Sequence, residues 1–153
     1  MKLSKSQLEN VSETLKDFRV LTQRYKEVKD DPFLLPKFYS RNRNPLFDVT
    51  QNSFFRTGLI SERAANEKKI VDDHFIQRSR AIRFIFQELE KNPNISLKEF
   101  VQLLKKYCST VKLTKEEHNK VTQFAKKNPD LFNYEIYPIC GVKVAGLGEY
   151  IIR

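Results

Sequence analysis

The sequence predicts a mainly α-helical chain with small β-hairpins, an α+β protein. Three observations carry this. Ser4/Gln7, Ser96/Glu99 and Thr114/Glu117 each form an S/T-x-x-E/Q capping box, the local signal for a helix start. Apolar residues recur at spacings of three and four behind these starts. With 4 Gly and 6 Pro in 153 residues, the chain favours long elements over tight turns. The 40% apolar content, with 12 Phe and no Trp, suffices for a packed core and argues against global disorder.

The first helix begins at Ser4, with Leu3 and Leu8 as its hydrophobic staple. Leu8, Val11, Leu15, Phe18, Leu21, Tyr25 and Val28 then form one apolar stripe, and Pro32 blocks continuation beyond Asp30-Asp31. The stripe suits either an internal core or a dimeric coiled coil. Residues 32–45, "PFLLPKFYSRNRNP", read as a proline-rich connector. A short hairpin, Leu46–Thr50 against Phe54–Leu59, is expected around "TQNS", with Gly58 at a bulge or turn. This closes an N-terminal unit over 1–60.

The second unit, 61–153, opens on a long helical segment from Ser61, bent or broken near Gln77–Arg80 and ending at Asn92-Pro93. Helices over 97–107 and 115–128 follow, headed by the second and third capping boxes. The tail is rich in Tyr, Ile and Val; strands are expected at Glu135–Val144 and Glu149–Ile152 around "AGLG". The chain stops in that apparent strand, which suits either a natural end or a truncated reading frame.

From residue 78 onward, the order helix, helix, helix, two strands resembles a winged helix, in which a β-hairpin follows the recognition helix. "CSTVKL" between the second and third helices exceeds the usual turn of about 3–4 residues. The resemblance makes the helix over 115–128 the recognition helix. Asn119, Lys120, Gln123, Lys126 and Lys127 lie along its outer side, where Asn and Gln suit adenine edges and Lys suits guanine or phosphate. Lys143 then sits on the wing. The same residues also make an ordinary wet helix face. "SFFRTGLISER", Ser53–Arg63, is similar to a strand closing a winged-helix unit in the recognition portion of some type II restriction endonucleases; this resemblance implies a DNA contact at Arg56.

The net charge of +9 attracts nucleic acid, acidic proteins or anionic membranes. Arg78, Arg80 and Arg83 fall within one helix, as phosphate contacts or as snorkelling core-edge residues. Arg41 and Arg43 in "YSRNRNP" suit an arm entering a minor groove, or a mobile basic loop. No catalytic motif is recognisable. "PDLFNYEIY" has Tyr137 where a nuclease motif of the Glu-x-Lys type needs Lys, and His74, Cys108, His118 and Cys140 lack zinc-site spacing. His74 and His118 therefore read as structural, Cys108 and Cys140 as buried free thiols. No metal or other cofactor is implied. The N-terminus lacks the apolar core of a secretory signal and no run spans a bilayer, so a cytoplasmic protein without a membrane partner is expected. The expectation for function is DNA binding, as a recognition module of a restriction or regulatory system without catalysis of its own. A protein-interaction module (a homodimer or part of a larger complex) and a subunit or fragment of a nuclease are the alternatives.

Overall fold

The computed structural model describes residues 2–150. In chain order the elements are α1 (Lys5–Val28), α2 (Leu34–Thr50), β1 (Arg56–Ile60), β2 (Ile70–His74), α3 (Arg78–Lys91), α4 (Leu97–Cys108), β3 (Thr110–Thr114), α5 (Lys115–Lys127) and α6 (Asn133–Ile139). Short 3-10 turns occupy Ala64–Asn66 and Leu147–Glu149. The fold is α+β, dominated by helices with one small three-stranded sheet.

All three capping boxes form as read, at Ser4, Ser96 and Thr114. The α1 stripe turns inward: Val11, Leu15, Phe18, Tyr25 and Val28 are buried. They join α2, α3 and α4 in a core rich in aromatic rings. Phe86 is its centre, with ring centroids 4.7 Å from Phe38, 4.9 Å from Phe18 and 5.7 Å from Tyr25.

The proline-rich connector is instead the helix α2. Asp31 Oδ1 accepts from the N–H groups of Phe33 and Leu34 at 2.8 and 2.9 Å, capping the start. Pro36 falls in the first turn, where no amide donor is needed. Pro45 lies inside the helix and removes one ladder bond, yet the helix continues because Leu46, Phe47 and Thr50 bury their side chains immediately after it. The expected hairpin is therefore absent. Leu46–Thr50 is the end of α2, and β1 finds a partner far along the chain.

That partner is β3, the centre of a sheet in the order β1-β3-β2, parallel to β1 and antiparallel to β2. The over-long "CSTVKL" connection is thus a buried central strand, with Thr110, Val111, Leu113 and Thr114 inside. Gly58, at φ 76°, coincides with a register shift in β1, as the bulge reading required. The long helix expected from Ser61 begins only at Arg78; β2 precedes it, and Gln77 takes the extended conformation at the break.

The tail strand expected over Glu135–Val144 is also corrected. Glu135 Oε2 accepts from the Phe132 N–H at 2.7 Å and starts α6, which buries Ile136 and Tyr137. Only Val144 makes a bridge, to Ser61. Of the strand expected at Glu149–Ile152, Glu149 is in a 3-10 turn; Ile151 and Ile152 lie outside the described residues. After α5 the chain thus forms α6 where a wing hairpin was expected. A second core joins Phe75, Val111, Leu113, Val121, Ile136, Tyr137 and Val142, packing α5 and α6 on the sheet.

Candidate nucleic-acid interface and an adjoining Asp–His pair

Helix α3 starts beside the loop that joins α5 to α6. Gln77 Nε2 and Arg80 Nη1 both donate to the Leu131 carbonyl, at 2.8 and 2.9 Å. The Arg80 guanidinium also lies 4.1 Å from the centre of the Phe132 ring. These ties hold the start of α3 against the loop and leave a cleft of about 480 Å³ between α3, α5 and α6. Arg80, Arg83 and Lys126 line it together with Ser79, Thr122 and Asp130. Burial and then the neighbouring Arg83 charge pull the Arg80 pKa down, but a guanidinium stays protonated in proteins. The cleft therefore carries three cations and one carboxylate among its lining side chains.

A buried carboxylate adjoins this cleft. Asp73 on β2 is 1% exposed. Its Oδ2 accepts from Tyr137 Oη and from Asn133 Nδ2, and its Oδ1 stands 2.6 Å from His118 Nδ1 on α5. With a carboxylate oxygen as the acceptor, Nδ1 of His118 carries the proton and donates. The hydrogen bond to Asp73 raises the His118 pKa, against the opposing effect of burial. His118 is half-buried, and its Nε2 has no hydrogen-bond partner among the described residues. Asn133 links the two features: it lines the cleft and donates to Asp73 Oδ2 at 3.4 Å and to the His74 carbonyl at 2.9 Å. An imidazole oriented by a carboxylate, with Nε2 unengaged, is able to accept or deliver a proton.

The structure brings together Arg80, Arg83 and Lys126 from the predicted set and distributes the others. Lys120 is paired with Glu116 at 3.2 Å, and Glu116 also takes Arg63 at 2.8 Å. Lys120, Gln123 and Lys127 face a shallow depression beside Cys140, on another side of α5 from Lys126. Asn119 is exposed. Arg56 pairs with Asp72 at 3.3 Å. Lys143 is not on a wing: it follows α6, where its carbonyl accepts from the Glu62 N–H at 2.9 Å.

Arg78 lies on the Phe47 ring, 4.4 Å from its centre, and is pulled down by burial and by the nearby Arg43. Arg41 and Arg43 belong to α2 and form no extended arm; Arg41 borders a groove between α1 and α2 with Arg24 and Lys37. The two thiols are free, with Cys108 buried and Cys140 half-buried.

Sequence reasoning did not bring Asp73, Gln77, Asn133 and Tyr137 together with His118, which it read as structural. Among the described residues no group of three or more His, Cys, Asp or Glu stands together. Among the same residues, no helix is long and apolar enough to cross a membrane. Comparison with protein-family models, with curated proteins and with solved structures finds no match.

Proposed function

We propose that this protein binds DNA, with the cleft between α3, α5 and α6 as the phosphate-contacting surface. The observation that carries the reading is the convergence of Arg80, Arg83 and Lys126, from two separate helices, on one cleft. The +9 charge of the whole chain supports it by favouring polyanion encounter. The contact differs from an exposed recognition-helix face, since Lys120 is spent on Glu116 and Lys126 faces the cleft. Titration against duplex DNA, single-stranded DNA and RNA at two salt concentrations tests it. Affinity should fall as salt rises, and Arg80→Ala with Arg83→Ala should flatten the log–log salt slope by about one per lost phosphate contact. An unchanged slope in that double variant removes the cleft as the interface.

A second reading is favoured by the Asp73–His118 pair. In it the protein is a nuclease, or the active part of one, with His118 Nε2 taking the proton from the water that attacks a phosphodiester; the new P–O bond replaces the bond to one sugar oxygen, which leaves and takes its proton from solvent. Cleavage of supercoiled plasmid, with and without added magnesium, tests this. His118→Ala should abolish cleavage while leaving DNA affinity in place; cleavage that persists in His118→Ala excludes the dyad as its source.

A further inference from the structure

A second recess lies in the helical half of the molecule, between α1 and α2. Its volume of about 250 Å³ is below the roughly 300–1,000 Å³ usual for sites that enclose a small molecule. Leu21 and Val28 of α1, with Leu34 and Phe38 of α2, give it an apolar lining. Arg24, Lys37 and Arg41 edge it; all three are exposed, and no carboxylate is among its lining side chains. Helical spacing makes the arrangement regular. On α2 the pair Leu34 and Phe38 and the pair Lys37 and Arg41 each repeat at i, i+4, so an apolar row and a cationic row run side by side. Leu34 is 38% exposed and Phe33 just before it is 81% exposed, so apolar surface continues from the recess onto the start of α2.

The chemistry of this recess selects among occupants. A nucleic-acid backbone would answer the cations and leave the apolar lining against phosphate and sugar. A second copy of this chain, with its net charge of +9, would bring further cations to a cationic edge. A bilayer surface would meet Phe33 and the cations, but Val28 and Phe38, 2% and 6% exposed, lie too deep for a flat surface to reach. A peptide with an apolar side chain between carboxylates answers the lining and the edge together, in the manner of an amphipathic segment laid into a groove. The cations are available to it. Among the described residues neither Lys37 nor Arg41 has a salt-bridge partner. Arg24 has Glu27 at 2.9 Å, an exposed pair within one helix, of the kind that is worth little. We propose that the α1–α2 groove docks an acidic amphipathic segment of a partner protein, with one apolar anchor in the recess and carboxylates against Arg24, Lys37 and Arg41. The groove shares no lining residue with the cleft between α3, α5 and α6, so this surface is independent of the DNA reading.

The test pans a random dodecapeptide phage library on the full chain, after depletion on the Lys37→Glu, Arg41→Glu double variant. Recovered peptides are synthesised and measured by fluorescence anisotropy. They should carry Leu, Ile, Phe or Met flanked by Asp or Glu, and their affinity should fall as salt rises. The double variant should bind them about tenfold more weakly than the parent, since two attractive pairs become repulsive ones. Leu34→Ser, checked for folding by circular dichroism, should also weaken them while leaving every charge in place. Arg80→Ala with Arg83→Ala should leave peptide affinity unchanged, which separates this surface from the cleft. Recovery of no peptide, recovery of peptides without acidic residues, or equal binding to parent and double variant overturns the proposal. Capture of the parent by phosphatidylserine vesicles that no recovered peptide displaces, lost in Phe33→Ser, overturns it in favour of a membrane surface.

Discussion

His118 on α5 donates its Nδ1 proton to Asp73 on β2 across 2.6 Å. The two residues are 45 positions apart in sequence, so the bond ties the sheet to the helix packed over it. Its energetic sign follows from linkage. The bond raises the folded-state pKa of His118 above its unfolded value. The stabilisation is therefore full below the unfolded pKa and is lost as pH rises through the folded one.

The chain has 2 histidines, so ring-proton NMR shows two titrations, and His74→Phe assigns them. His118 should titrate above the ordinary histidine value of about 6.5. Asp73→Asn keeps the shape and removes the charge, and should bring the His118 titration down. An unchanged titration in that variant would show that Asp73 does not set it.

His74 should behave oppositely. It is mostly buried with its ring 4.9 Å from Phe47, and burial pushes its pKa down to about 4. The unfolded chain then binds the proton first as pH falls, so stability present above about pH 6.5 is lost toward pH 4. The shift corresponds to roughly 3 kcal/mol, at 1.36 kcal/mol per pKa unit. Urea unfolding at pH 7 and pH 4.5 measures it. His74→Phe should lose less stability between those two values than the parent does.

What was legible in the sequence was local. Ser4, Ser96 and Thr114 announce their helices because a cap is read within four residues. The α1 stripe from Val11 to Val28 is legible for the same reason. The sheet was not, because each strand is paired with residues remote in sequence: Arg56 with Thr110, and His74 with Thr110 from the other side. "STVKLT" is buried on nearly every residue, so it lacks the alternation that marks a half-exposed strand. The three cleft cations were all in the predicted set, since charge and spacing flagged them. Their convergence depends on how α3 meets α5, and that contact has no local signature. Asp73 falls within the segment read as helical from Ser61, and only the β2 pairing turns it inward.

Phe86 should be the most costly single truncation in the helical core. It is fully buried and touches the rings of Phe18, Tyr25 and Phe38, which come from α1 and α2. Phe86→Ala leaves a cavity where three helices meet, and should cost about 3–5 kcal/mol by chemical denaturation. A loss under about 1 kcal/mol would mean that the rings collapse into the vacated space.

Ser61 and Glu117 form the other buried tie between the sheet region and α5. Ser61 Oγ donates to Glu117 Oε2 at 2.6 Å and accepts from the Ala64 N–H at 3.0 Å. The same Glu117 oxygen accepts from the Thr114 N–H at 3.0 Å, while Thr114 Oγ1 accepts from the Glu117 N–H at 3.1 Å. The capping box of α5 is thus anchored from outside by a serine just beyond β1. Thr114→Ala removes the hydroxyl half of the cap and should cost about 1 kcal/mol. Ser61→Ala leaves a buried carboxylate short of one donor and a buried N–H without an acceptor, and should cost about 2–3 kcal/mol. Because both changes act on Glu117, the double variant should depart from additivity by about 0.5 kcal/mol or more. Strict additivity in urea unfolding would show that Ser61 and the cap stabilise the fold independently, leaving Glu117 as a neighbour of both and a coupler of neither.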